Sequence, residues 1–523
     1  MTKQTFIKGA MILLVAGIIN RILGFIPRIT LPRIIGAEGV GIYQLSYPFL
    51  IVMLTLVTGG IPLAIAKWIA DAKTRGDEQA VKTIYRLAML ITVGAAVILT
   101  TIMLIAAPFI IKYIIPDKRV FESFIVMSPL VIIVGISSVY RGYFQGLQNM
   151  IPNAVAQTVE TIVRIIFSLL LAYLLLPFGL SYGAAGAMAG VVIGECVALL
   201  FMYVSFKRQK QKSEHHSSKE LILNQSHTST TNEKYTRKIL GIAIPVTGSK
   251  LTGSIAYLLE SIFTARSLAV AGIATGVATA QYGALQGMIL PLILLPTALT
   301  YSLAVSLVPS LSEAAAQNEQ ATIHKRLHQT IKITLVAGTP VTMIMFIFAI
   351  PLCHLLYAHG EYGEYLKLLA PIGIFIYLQA PLQATLQALN KPGVALINTL
   401  VGAMVKLALI VTLASIPTLG IKGAIIAIGI NTILVTLLHA IAVQRYIRFK
   451  WNFIDLIKVL ANTIVAGAFA LFTWHQLSFL DQWLTLLCAG LAMVIVYLWL
   501  LFQTKLVDKD DLVRLPYINK WFT

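Results

Sequence analysis

Apolar runs of twenty or more residues recur along this chain, separated by short polar connections. A helix needs about 20 mostly apolar residues to cross the hydrocarbon core of a bilayer. The pattern predicts about fourteen such helices, near residues 8–34, 42–70, 84–111, 122–146, 153–177, 181–206, 239–267, 282–310, 330–357, 367–389, 393–415, 420–444, 454–476 and 481–503. The expected fold class is an all-α integral membrane protein. The first run follows Lys3 and Lys8 as a secretory signal would, but it is too long, carries arginines and lacks a small-residue cleavage site. It reads as a retained first helix.

The longest polar interruption, 207–236, contains Glu214-His215-His216-Ser217 and Ser226-His227-Thr228-Ser229 and buries no apolar face, so a flexible linker is expected there. Its two sides resemble each other. Asp77-Glu78-Gln79-Ala80 is matched by Asn318-Glu319-Gln320-Ala321, and Gln145-Gly146-Leu147 ahead of Pro152 by Gln387-Ala388-Leu389 ahead of Pro392. Arg164 and Lys406 then take equivalent places. The expected organisation is two pseudo-symmetric six-helix lobes, 1–206 and 237–446, followed by two helices within 447–504 and a cytoplasmic tail, 505–523. A parallel repeat of this kind places a transport site at the repeat interface.

Composition sharpens the class. Of 523 residues, 58% are hydrophobic and 12% charged, with mean hydropathy +0.84; a soluble domain carries about twice that charge. Little chain is left over for a soluble catalytic domain. One set of alternate connections holds Lys73, Arg75, Lys82, Arg86, Arg141, Lys207, Arg208, Lys325, Arg326, Lys391 and Arg445, whereas the other holds only Lys112, Lys118, Arg119, Lys367 and Lys422. Lysine and arginine collect on the cytoplasmic side, so both termini are expected there. The net charge of +19 is then largely topological and does not call for nucleic acid.

Ten ionisable residues fall inside the apolar runs: Arg21, Arg28, Arg33, Glu160, Arg164, Glu195, Lys250, Glu260, Arg266 and Lys406. Each costs roughly 2.5–3.5 kcal/mol if it faces lipid at a helix centre, so most must be paired, hydrated or turned inward. Seven cations against three carboxylates leave an interior excess of four positive charges, which points to an anionic substrate. Arginine's planar fork suits phosphate oxygens. Arg21 and Arg28, seven residues apart, share one helix face, and Pro27 and Pro32 are expected to kink that helix. Arg33 has two readings, an interface anchor or a binding group. Glu160 and Arg164 have the favourable i, i+4 order for a neutralised pair. Glu195 is a natural partner for one of the cations, and Glu260 and Arg266 each require a partner elsewhere.

Cys196, Cys353 and Cys488 show no metal-ligand spacing, and no Walker motif, H-E-x-x-H or nucleophile-base set is present. Neither an enzyme, a cofactor nor a metal is expected, and a coupling ion is left open.

Asn20-Arg21-Ile22-Leu23-Gly24-Phe25, Arg33-Ile34-Ile35-Gly36-Ala37-Glu38-Gly39-Val40-Gly41 and Gly60-Ile61-Pro62-Leu63-Ala64 resemble the stage V sporulation protein B type. That type belongs to the polysaccharide-transport branch of the multidrug/oligosaccharidyl-lipid/polysaccharide (MOP) superfamily, alongside the MurJ lipid II flippases. The resemblance implies two six-helix lobes around a central cavity, and two last helices beside a groove for a lipid tail. It also implies an undecaprenyl-pyrophosphate-linked peptidoglycan precursor as substrate, moved by alternating access in a bacterial cytoplasmic membrane. The chain departs from the MurJ pattern where that pattern has an Arg-Asp pair and this one has Pro27-Arg28. It departs again at Pro48–Val57, which carries no charge, and at Tyr282-Gly283-Ala284-Leu285, where an arginine is missing. The expected substrate-binding set is Arg21, Arg28, Arg33, Arg164, Lys250, Glu260, Arg266 and Lys406. Expected partners are the polyprenyl-pyrophosphate lipid, membrane lipids and cell-wall synthases. The competing readings are a flippase for another lipid-linked oligosaccharide, a cationic-drug antiporter and a non-transporting scaffold.

Overall fold

The computed structural model describes residues 16, 17, 19–217 and 229–506, and every regular element among them is helical. Among the described residues, twelve helical segments are long and apolar enough to cross a membrane, or thirteen when the bent pair Thr275–Ile293 and Thr297–Ala316 is taken as one span. This falls short of the fourteen expected because the segment Ile19–Thr74 runs through 56 residues. At 1.5 Å per residue that is about 84 Å of helix against a hydrocarbon core of about 30 Å. It overlaps two of the expected spans.

The chain forms two compact units, Met1–Gly287 and Met288–Thr523. The boundary lies well beyond the polar linker, so the helix that follows the linker belongs with the first unit. In that unit the helices are α1 (Phe25–Thr58), α2 (Ile61–Thr74), α3 (Glu78–Tyr113), α4 (Phe121–Met127), α5 (Leu130–Gly146), α6 (Ile151–Leu175), α7 (Leu180–Ser217), α8 (Ser229–Val270) and α9 (Thr275–Gly283). Because α7 reaches Ser217 and α8 starts at Ser229, the expected linker 207–236 is helical at both ends; residues 218–228 lie outside the described residues.

Pro27 and Pro32 do not break α1. Its one non-helical residue is Gly36, at φ 67° and ψ 175°, a conformation open to glycine and closed to residues with a Cβ. Pro27 lies in the first turn, where a missing N–H costs nothing. Beyond Gly36, α1 packs tightly on α9: a Cβ on Gly41 would stand 2.0 Å from the Thr279 carbonyl oxygen, and one on Gly283 would stand 2.2 Å from that of Ala37. In lipid, helices gain little from hydrophobic exclusion, and such close backbone approach supplies the packing instead. The α6–α7 pair is tied by Ser168 Oγ, which donates to the Ala187 carbonyl at 2.8 Å. Ile42, Phe49, Met103, Phe124 and Tyr282 fill the core beneath α1.

The second unit comprises α10 (Leu290–Ile293), α11 (Thr297–Ala316), α12 (Gln320–Ile347), α13 (Ala349–Tyr357), α14 (Gly363–Leu369), α15 (Gly373–Ala388), α16 (Pro392–Leu413), α17 (Ile421–Ile447), α18 (Phe453–Gln476) and α19 (Gln482–Gln503). The last two are anchored through hydroxyls: Thr463 Oγ1 donates to Thr339 Oγ1 at 3.0 Å, and Tyr497 to the Val336 carbonyl at 3.1 Å. Residues 507–523 of the expected tail lie outside the described residues.

The internal repeat is visible in the backbone. Gly76 and Asn318 both take positive φ, as do Gln148 and Asn390, and the same turn hydrogen bonds surround each pair, such as Asp77 N to Ala72 O and Glu319 N to Ala314 O. The single-turn helices Lys118–Val120 and Gly360–Tyr362 correspond too. Each partner lies 242 positions after the first, 76 to 318 and 148 to 390. This corrects the expected pairing of Asp77 with Asn318 by one residue: Asp77 and Glu319 are the equivalent helix caps.

Candidate functional site

Four ionic side chains meet inside the first unit. Arg164 Nη1 donates to Glu160 Oε1 at 2.9 Å along α6, as the i, i+4 spacing predicts. Arg141 Nη2, from α5, lies 3.4 Å from Glu160 Oε2 and 3.4 Å from Glu195 Oε2 of α7. Glu160 and Glu195 are buried, whereas about a third of each guanidinium side chain is exposed. The carboxylates are therefore held within the protein while the cations keep an open face. Both carboxylates lie within 3.4 Å of one nitrogen, so those oxygens are at most about 6.8 Å apart. At an effective dielectric of 20, their repulsion is then at least roughly 2 kcal/mol and needs the arginines to offset it.

Arg141 was expected in a cytoplasmic connection. Instead it lies within α5, and it is the partner that Glu195 required. The available signal was the pair of buried carboxylates with too few cations on their own helices.

Arg28 enters the same neighbourhood from α1. Its charge and that of Arg164 both act on Tyr43 and Tyr47, and Arg28 also acts on Tyr257 of α8. The Tyr43 and Tyr47 rings stack at 6.1 Å. Arg28 is itself exposed, with these tyrosines as its protein neighbours. Arg21 and Arg33 are exposed on the same helical segment. Three other expected site residues serve identifiable packing contacts. Lys250 Nζ donates to the Gly59 carbonyl at 2.7 Å, closing the C-terminal end of α1. Arg266 Nε donates to the Ile114 carbonyl at 3.2 Å, and buried Glu260 accepts from Gln286 at 3.3 Å. Lys406 belongs to α16 of the second unit and is half-buried. In the same unit His439 meets Asn398 at 3.2 Å, while Gln379 donates to the Thr432 carbonyl and to Thr436 Oγ1.

A separate ionic knot ties the α3–α4 connection. Arg119 bonds Asp117 and Glu38 at 2.8 Å each, and Thr279 Oγ1 donates to Asp117 Oδ2 at 2.8 Å. Burial pushes the Asp117 carboxyl up, but hydrogen bonds from the Arg119 side chain, Thr279 and the Arg119 amide outweigh it and hold the group below the ordinary carboxylate range. A depressed carboxyl stabilises the fold above its unfolded pKa, and that stability is lost as pH falls through the folded value. The knot is therefore expected to be intact at pH 5 and to weaken only as pH falls below the ordinary carboxylate value of about 3.9. Asp117→Asn should lower stability at pH 7 by about 1–3 kcal/mol and flatten the acid limb of a melting-temperature profile in detergent. An unchanged acid limb would remove Asp117 as its source.

Among the described residues, no cluster of three or more His, Cys, Asp or Glu side chains is placed to hold a metal. Cys196 is exposed, Cys353 buried and Cys488 half-buried.

Residues 6–314 match the family described as polysaccharide biosynthesis protein. The chain is 38% identical to Stage V sporulation protein B of Bacillus subtilis (strain 168), over 99% of each chain. Its fold is shared with the solved structure described as "Lipid II flippase MurJ, inward closed conformation", at TM-score 0.68 and 15% identity, over 95% of this chain and 100% of that one. An inward-facing multidrug resistance MATE family transporter of the MOP superfamily superposes at TM-score 0.62 and 17% identity, over 82% and 94%. With twelve or more apolar helices of membrane-crossing length among the described residues, this is a multi-pass membrane protein. The chain belongs to the polysaccharide biosynthesis protein family, in its stage V sporulation protein B branch.

Proposed function

We propose that this protein is a flippase for an undecaprenyl-pyrophosphate-linked peptidoglycan precursor, moving it from the cytoplasmic to the outer leaflet by alternating access. The observation that carries the reading is the set of guanidinium groups at Arg28, Arg141 and Arg164, offered beside Tyr43 and Tyr47 within membrane-spanning helices. Arginine forks bind pyrophosphate oxygens, tyrosine rings flank a sugar or phosphate, and the polyprenyl tail stays in lipid. The name of the MurJ structure, a lipid II flippase, fits the same substrate class. With both termini in the cytoplasm, a pyrophosphate diester of two negative charges gains about 4.6 kcal/mol per 100 mV on moving outward, at about 2.3 kcal/mol per charge. That gradient suffices without ATP or a bound cofactor.

The test is the accessibility of lipid II at the outer face of cells lacking their own flippases, with and without this chain and its Arg28 variant. Restored accessibility supports the reading. A chain that inserts in the membrane and restores nothing moves the substrate to another lipid-linked oligosaccharide, which the family's polysaccharide description also accommodates.

A further inference from the structure

Arg141 and Arg164 are the ion-pair partners of Glu160 and Glu195, and they are also groups that the proposed substrate has to engage. The two demands conflict. Arg28, Arg141 and Arg164 against Glu160 and Glu195 leave one net positive charge. A pyrophosphate diester bearing two negative charges reverses it to one net negative charge, in helices that are otherwise apolar. One proton restores neutrality. Glu160 and Glu195 are the carboxylates that lose their cations when the diester arrives, and two close, buried carboxylates cannot both remain ionised without them.

We propose that the Glu160–Glu195 pair is a proton-binding site, filled from solvent when an anion captures the arginines that otherwise neutralise it. The inference rests on the substrate class proposed above. Its geometry favours Glu195 as the proton's first location. Glu195 has Arg141 at 3.4 Å, whereas Glu160 has Arg141 at 3.4 Å and Arg164 at 2.9 Å. The charged and titratable groups that act on the pair are Arg141 on α5, Arg164 on α6, Cys196 on α7 and Tyr47 on α1, with Tyr43 stacked on Tyr47 and Arg28 acting on both tyrosines. Arg141 does not grip either carboxylate closely, so an incoming phosphate oxygen can take its donors without first breaking a short bond. When the diester leaves, the arginines return to the carboxylates and the proton is released to whichever side is open.

The probe is a farnesyl pyrophosphoryl N-acetylglucosamine diester, which has no ionisation of its own near neutrality. The full chain in lipid nanodiscs is titrated with it by calorimetry at pH 7, in two buffers of different ionisation enthalpy. Wild-type protein is expected to take up close to one proton per diester bound. In Glu195→Gln the uptake should fall to near zero while affinity rises several-fold, because Arg141 loses a competitor. Glu160→Gln serves as the second variant, and an unchanged melting temperature shows that each is folded. Binding by the wild type without proton uptake overturns this inference and leaves the proposed function standing. Uptake undiminished in both variants overturns the site. Absence of binding by the folded wild type overturns the substrate reading and this inference together.

Discussion

Replacing Arg28 with alanine should lower lipid flipping by roughly 10- to 100-fold, the equivalent of one lost charge-assisted hydrogen-bond set to a phosphate, about 1.5–3 kcal/mol. The chain itself should still fold. Arg28 forms none of the ion pairs that knit the helices, and its electrostatic reach falls on the tyrosines Tyr43, Tyr47 and Tyr257. Arg164→Ala is predicted to be worse on both counts, because it also removes the 2.9 Å partner of buried Glu160. Stripping one member from a buried pair leaves an uncompensated charge, with a cost of about 3–5 kcal/mol. Arg28→Lys separates charge from shape: lysine keeps the cation but not the planar fork, so recovery of only a minor part of the activity indicates bidentate phosphate recognition. The readout is outer-leaflet lipid II in flippase-depleted cells, normalised to protein in the membrane. Full activity of Arg28→Ala at normal abundance would eliminate the arginine cluster as the substrate site. It would favour a scaffold role.

The second large effect is structural. Gly41→Ala should destabilise the first unit by several kcal/mol, beyond the 1–3 kcal/mol usual for overpacking. The added carbon would stand 2.0 Å from the Thr279 carbonyl oxygen, and both partners are main chain with no rotamer through which to yield. The neighbouring Thr279 hydroxyl bonds Asp117, so separation of α1 from α9 should also loosen the ionic knot. Gly94→Ala and Gly241→Ala are matched controls, since a Cβ at either meets nothing within 4 Å. In detergent melts, a large drop for Gly41→Ala alone is the expected pattern. Equal melting temperatures for all three would show that the α1–α9 seam contributes little.

The sequence made the membrane class, the helical spans and the Glu160–Arg164 pair legible, because each follows from a short-range rule: run length, charge content and helical spacing. Glu195 was recognised as a carboxylate in need of a cation, but not the cation's identity. Loop counting assigned Arg141 to the aqueous side because it lies five residues before the end of α5, close enough to a turn to be mistaken for one. Two prolines drew attention away from Gly36, whose positive φ is a property of the backbone and leaves no mark in hydropathy. The repeat was visible in residue identities, yet its register was off by one at Asp77. Glutamate, glutamine and alanine matched by identity, whereas the chain conserves the turn geometry.

The 242-residue register leaves the two copies unequally charged. Arg141 corresponds to Gln383 and Glu160 to Gly402, while Arg164 is matched by Lys406, so the first copy carries an ionic constellation of which the second has only one cation. Two equally charged copies would hold a doubly anionic headgroup twice over and let it go slowly. With the burden placed on a single copy, retention and release become separable traits on which selection can act independently. Changes of cargo among relatives should accordingly accumulate around α5, α6 and α7, while their counterparts α15, α16 and α17 drift under packing constraints alone.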